Sequence, residues 1–254
     1  MPESTGKRSI DGKESIQHTP KVETVSPETQ RYRTRVFQVV LLSATGVFAV
    51  LTILANTAPY FPIDLQISRA IQSIDLPGLF GFMRLISWPG FLPQSILITV
   101  LIAYTLYLYG LHWESVMSIF AAISSGVVNS LVKSLIRRPR PGEDLVDVFE
   151  VLMSFSFPSG HVMFYTILFG FVCYLTYTLL KRTYQKSFYL SVFGIMILLV
   201  GVSRIYLGQH WASDVLGAYL LGGLILVGLI WVYQWGKKRF FVHQPSAAPN
   251  TIEE

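Results

Sequence analysis

The sequence predicts an all-α, polytopic membrane protein: six transmembrane helices in one bundle, plus an interfacial amphipathic segment. Three observations predict it. Charged residues are only 14% of the 254 residues, against roughly 25% in soluble domains. Most of these charges gather in the two ends of the chain and in short stretches between apolar runs. Six of those runs approach the ~20 residues needed to cross about 30 Å of hydrocarbon.

Taken in order, residues 1–35 hold Pro20, Pro27 and many Ser, Thr and Glu. That composition reads as a disordered cytoplasmic tail. No cleavable signal peptide is apparent, because the first apolar stretch starts near Val36 and runs too long for one. The expected spans are 36–56, 91–110, 115–135, 162–180, 188–206 and 213–235, within one membrane domain over 36–235. A short turn around Gly110–Trp113 separates the second span from the third. Residues 236–254 form a second polar, cytoplasmic tail. In the last span, Ser213/Gly217 and Ala218/Gly222 have the small-xxx-small spacing that lets helices pack closely.

The 57–90 connection is different. Ile63, Leu65, Ile67, Ile71 and Ile74 recur at helical spacing, interrupted by Asp64, Arg69, Asp75 and Arg84. This is the pattern of one or two helices lying in the interface, broken at Pro77–Gly78. Tyr60 and Trp88 suit the headgroup level.

Orientation follows from the basic residues. Of the 20 Lys and Arg, thirteen fall in the two tails and the 181–186 loop. That side is expected to be cytoplasmic, with both tails on it, as in a multi-pass protein of a bacterial inner membrane. The net charge of +5 reflects this topology rather than nucleic-acid binding. The single cysteine, Cys173, lies in an apolar run, so it reads as a packing residue with no internal disulfide or cysteine metal site.

Three polar clusters interrupt the apolar background, all at span ends on the other face. They are KSLIRRPRP from Lys133, FPSGH from Phe157 and SRIYLGQHWASD from Ser203. Ionisable groups at membrane depth are costly and mark functional sites. In the second cluster Ser159 is a good N-cap and Gly160 permits close backbone approach. The helix that follows presents free N–H groups to an anion. His161, in its first turn, is placed to donate a proton to a leaving oxygen. In the third, His210 and Asp214 have the i, i+4 spacing that puts them on one helix face. A carboxylate holding one ring nitrogen leaves the other free to attack. Arg204 offers a planar fork for phosphate oxygens. Lys133 and Arg140 complete a cationic cage for the charge that develops in phosphoryl transfer. No His, Cys or carboxylate set has metal-ligand spacing, so neither metal nor other cofactor is expected.

Other residues read more plainly. His18, His112 and His243 are expected to be structural or interfacial. Arg137 and Arg138 flank the site or meet headgroups. Asp144, Asp147 and Glu150 are expected in solvent. Phe155, Phe157 and Trp211 are expected to pack or line the interface.

These clusters resemble the signature of the type 2 phosphatidate phosphatase (lipid phosphate phosphatase) superfamily, in its bacterial membrane-bound form. The signature runs KxxxxxxRP, PSGH, then SRxxxxxHxxxD. Here it reads Lys133…Arg140-Pro141, Pro158-Ser159-Gly160-His161 and Ser203-Arg204…His210…Asp214, with every position filled in order. The resemblance implies that His210 is the nucleophile, Asp214 its orienting partner and His161 the proton donor. It implies that Lys133, Arg140, Ser159, Gly160 and Arg204 hold the phosphate, without metal. The partners it implies are the bilayer and a lipid phosphate: phosphatidate, phosphatidylglycerophosphate or undecaprenyl diphosphate. A lipid phosphotransferase would use the same site. An anion transporter, from another class, would explain six spans and a basic cluster, but not a His210–Asp214 pair beside His161.

Overall fold

The computed structural model describes residues 26–241, and every element among them is helical. Residues up to Val39 form a unit of their own, and the core and site lie within Val40–Glu254. In chain order the helices are α1 Pro27–Thr57, α2 Pro62–Gln72, α3 Leu79–Ser87, α4 Leu92–Leu108 and α5 His112–Ile136. They continue with α6 Gly160–Leu179, α7 Thr183–Tyr206 and α8 Ala212–Phe240.

Five of these (α1, α5, α6, α7 and α8) are long and apolar enough to cross a membrane. The expected second span is α4, whose 17 residues reach only about 26 Å. It gains the length of a span only together with Leu79–Gly90, from which it is bent by 62°. The 57–90 connection is therefore two helices, α2 and α3, parted at Pro77–Gly78 as expected, and α3 leads into the α4 span. Helix α1 starts at Pro27, so residues 27–35 are helical rather than part of a disordered tail. Likewise α8 runs on to Phe240. Residues 1–25 and 242–254, with His18 and His243, lie outside the described residues.

The packing places α6 at the centre, against α5, α7 and α8. Val162, Met163, Tyr165, Ile167, Leu168 and Phe171 on α6 are fully buried, which makes it the hydrophobic axis of the bundle. A π-helical turn over Tyr165–Phe169 widens it midway. Gly222 on α8 lets that helix close on α6, because a Cβ there would lie 3.0 Å from Thr166 Cβ. Outward faces are apolar instead: Leu97, Leu101, Ile123, Leu131, Ile195 and Leu198 are all well exposed. Patches of this extent are untenable in water and ordinary in lipid.

At the far end from the signature motifs, α5 and α8 are tied by polar contacts. Trp113 Nε1 donates to Tyr233 O at 3.1 Å, and the buried Glu114 carboxylate accepts from Tyr233 Oη at 2.8 Å and from Lys237.

Candidate active site

The three motifs converge at one end of the bundle, each delivered by a different helix terminus. Helix α5 ends at Ile136, where Arg137 takes a left-handed conformation (φ 53) and Pro139 prevents the helix from continuing. Lys133 is thus in the last turn of α5, and Arg138 and Arg140 stand on the extended chain beyond it. The loop returns through residues 154–157 to Ser159 and the start of α6. Helix α7 carries Arg204 in its last turn. Gly208 (φ 64) then turns the chain so that the Gln209 and His210 amides both donate to Arg204 O, at 3.1 and 3.3 Å.

His210 therefore precedes α8 rather than lying on it, so the expected one-helix geometry with Asp214 does not apply. Asp214 is in the first turn of α8, where Oδ2 accepts from the Trp211 amide at 2.9 Å. That cap folds the carboxylate back toward His210, and the two still meet: His210 Nδ1 lies 3.6 Å from Asp214 Oδ2. This is too long for a hydrogen bond. Ser156 fills the gap, with Oγ donating to Asp214 Oδ2 and lying 3.4 Å from His210 Nδ1.

On the other ring nitrogen, Arg140 Nη1 donates to His210 Nε2 at 3.1 Å and to Gln209 O at 2.6 Å. A guanidinium can only donate, so Nε2 presents its lone pair. Nδ1 then carries the proton on the Ser156–Asp214 side. Burial first, then the cations of Arg140, Lys133 and Arg204, push the His210 imidazole well below its ordinary range. It is held neutral, as a nucleophile requires. Burial likewise lowers Arg140, to about 10, which leaves it cationic at neutral pH.

Arg138, expected to flank the site, is instead its structural centre. Its side chain is fully buried. Nη1 binds Asp214 Oδ1 at 2.6 Å and Nη2 binds Asp64 Oδ2 at 2.9 Å. Asp64, on α2, also accepts from the Ser213 amide at 2.8 Å and the Ser213 hydroxyl at 2.7 Å. The 57–90 segment thus supports the site from below. Asp64, Ser156 and Arg138 were not recognised as site residues in the sequence. Asp64 stands three residues past Phe61, where it caps α2 by accepting from the Phe61 amide at 3.1 Å.

The phosphate-binding candidates gather around the same point. Lys133 Nζ donates to Phe155 O. Arg140 also straps the returning loop, with Nε on Ser154 O at 2.7 Å. Arg204 is fully buried, with Nη1 on Ser87 Oγ at 3.2 Å. Among the described residues its Nε and Nη2 have no partner, nor do Ser159 Oγ and His161 Nε2, all covered from solvent. Ser159 takes the N-cap position of α6, yet its hydroxyl makes no capping bond. Gly160 lies beside Asn129, whose amide holds Pro158 O at 3.0 Å. His161 stands edge-on to Phe91 at 4.9 Å, within electrostatic range of His210, Arg204, Arg140 and Lys133. All eight expected site residues are therefore brought together. Phe157 and Trp211 are buried packing residues, and Asp144, Asp147 and Glu150 are exposed, as expected.

Residues 114–240 match the PAP2 superfamily. The chain is 30% identical over 195 residues to phosphatidylglycerophosphatase B of Bacillus subtilis, covering 76% of this chain and 94% of that protein. Its fold resembles the crystal structure of a transmembrane PAP2 type phosphatidylglycerolphosphate phosphatase from Bacillus subtilis. There the TM-score is 0.69 at 28% identity, over 79% of this chain and 98% of the other. Aquifex aeolicus LpxE shares the fold more distantly, with a TM-score of 0.54 at 21% identity over 67% of this chain and 96% of its own. The chain belongs to the PAP2 superfamily, as an all-helical, multi-pass membrane phosphatase.

Proposed function

We propose that this phosphatase hydrolyses a phosphomonoester or diphosphate lipid through a phosphohistidine on His210, with its site on the extracytoplasmic face of a bacterial inner membrane. The observation that carries this reading is a set of covered donors, on Arg204, Ser159 and His161, that have no partner among the described residues, beside a histidine held neutral. Unpaired buried donors cost about 1–3 kcal/mol each. A bound phosphate would satisfy them together.

In the first step His210 Nε2 attacks phosphorus and the bond from phosphorus to the leaving oxygen breaks. His161 donates its proton to that oxygen, releasing the lipid alcohol. Ser156 and Asp214 hold the Nδ1 proton and stabilise the charge that the ring acquires. Lys133, Arg140 and Arg204 take the charge on the equatorial oxygens, with the Ser159 hydroxyl and the Gly160 amide at the α6 terminus. In the second step water gives a proton to His161 and attacks phosphorus, freeing His210 and inorganic phosphate.

The likeness to phosphatidylglycerophosphatase B makes phosphatidylglycerophosphate the first substrate to try, with phosphatidate and undecaprenyl diphosphate beside it. The test is phosphate release by detergent-purified protein in EDTA, with radiolabelled lipid and acid quench. Wild type should release phosphate and trap label on histidine, and His210→Ala should do neither. Release by His210→Ala at the wild-type rate would overturn the mechanism.

A further inference from the structure

Ser87, the last residue of α3, lies outside the three signature motifs, yet its side chain meets two residues of α7 at the site. Ser203 Oγ donates to Val200 O at 2.8 Å, so its lone pair is open to accept from Ser87 Oγ, also at 2.8 Å. A hydroxyl has one proton to donate and two lone pairs. With its proton given to Ser203, Ser87 Oγ accepts from its other neighbour, Arg204 Nη1, at 3.2 Å. Ser87, Ser203 and Arg204 are all fully buried. The run from Val200 through Ser203 and Ser87 to Arg204 therefore stands away from water, and each bond sets the direction of the next.

Direction matters here because the guanidinium is flat and its donors are not equivalent. Nη1 lies on the Cδ side of the group. Nε and Nη2 share the opposite edge, where two parallel N–H bonds make the fork that matches a pair of phosphate oxygens. Ser87 holds Nη1, while Nε and Nη2 have no partner among the described residues. Phe91, just past the turn that follows Ser87, packs beside the same guanidinium at 5.7 Å. Two contacts from one segment thus restrain the plane and leave its forked edge uncommitted.

We propose that Ser87 is a positioning residue for phosphate: by holding Nη1, it turns the Nε–Nη2 edge of Arg204 toward the substrate. This rests on the phosphate-binding role proposed for Arg204 and deepens it. It also gives the serine that precedes Arg204 in the signature a task, since Ser203 orients Ser87 and Ser87 orients the arginine.

The experiment is a double-variant cycle on phosphatidylglycerophosphate in mixed micelles: wild type, Ser87→Ala, Arg204→Lys and the pair together, with inorganic phosphate as competing ligand. Ser87→Ala should lower kcat/KM about tenfold and weaken inhibition by inorganic phosphate. In the Arg204→Lys background the same change should cost less than about twofold, because an ammonium has no edge to orient. If Ser87→Ala does not fold, Ser87→Cys takes its place in the cycle, with similar volume and a much weaker acceptor. No loss from the Ser87 variant, or the same factor in both backgrounds, would overturn the positioning role and leave the phosphatase reading intact. Wild-type kcat/KM and phosphate inhibition in Arg204→Lys would overturn the role of Arg204, and that of Ser87 with it.

Discussion

Arg138 Nη1 binds Asp214 Oδ1 at 2.6 Å, so the carboxylate that faces His210 with one oxygen is gripped by a buried guanidinium with the other. The same guanidinium reaches Asp64 on α2. One cation thus joins the helix that carries the histidine's partner to a segment far away in the chain. Charges buried this deeply persist only when their partners are in place.

Removing Arg138 should therefore cost stability before it costs chemistry. Arg138→Ala leaves Asp64 and Asp214 facing each other without compensation, a loss of roughly 3–5 kcal/mol. Asp64→Asn should cost less, because Asp214 still balances Arg138. The double variant Asp64→Asn/Arg138→Ala should be less damaged than the sum of its parts. Thermal unfolding in detergent measures all three. Strict additivity would mean the pair is not energetically coupled.

Ser156→Ala removes the bridge between His210 Nδ1 and Asp214 Oδ2. A hydrogen bond to a charged group is worth about 1.5–3 kcal/mol. On the proposed mechanism the expected loss in kcat is therefore roughly tenfold to a hundredfold, with KM little changed, because Ser156 would orient the His210 ring without touching the phosphate. A change confined to KM would place Ser156 among the binding groups instead.

Gly90→Ala tests the seating of His161. A Cβ at Gly90 would lie 2.7 Å from His161 Cγ, so the ring must move. The expected result is a fall in kcat of about tenfold or more, with an unchanged unfolding temperature. Wild-type turnover would mean that His161 tolerates displacement and does not donate the proton.

The depressed His210 gives a signed pH effect. The unfolded chain takes up a proton on this residue near pH 6.5, and the folded chain does so only at lower pH. Stability should therefore fall as pH drops below about 6.5, and stop falling on this account once the folded imidazole also charges. Thermal unfolding from pH 7.5 to 5 should show a steeper loss for wild type than for His210→Gln. Parallel curves would contradict a buried neutral imidazole. The same shift keeps the attacking form present in mildly acidic solution, so the His210 limb of kcat/KM should lie below the ordinary imidazole range.

Much of the molecule was legible in one dimension. Apart from the start of α1, the apolar runs placed the spans to within about five residues, since a span needs a continuous apolar length whatever its neighbours are. Lys133, Arg140, Ser159, Gly160, His161, Arg204, His210 and Asp214 were legible because charged and polar residues at membrane depth stand out, and because their spacing repeats a signature. The errors lie where local pattern and packing part company. The α4 span is short because part of its length is bent away into α3. Residues 27–35, polar in composition, are helical as the start of α1. The His210–Asp214 approach comes from a turn at Gly208 and a helix cap, not from helical periodicity.

What the sequence by itself determined is the class of the molecule and the set of candidate site residues, because hydrophobic length and residue chemistry are properties of the chain alone. What only the tertiary structure decided is which polar groups support them. Asp64, Ser156 and Arg138 carry no distinctive local pattern. They matter because folding withdraws them from water, where each charge or hydroxyl must find a partner from another part of the chain: Asp64 finds Arg138 and Ser213, Arg138 also finds Asp214, and Ser156 finds Asp214 and His210.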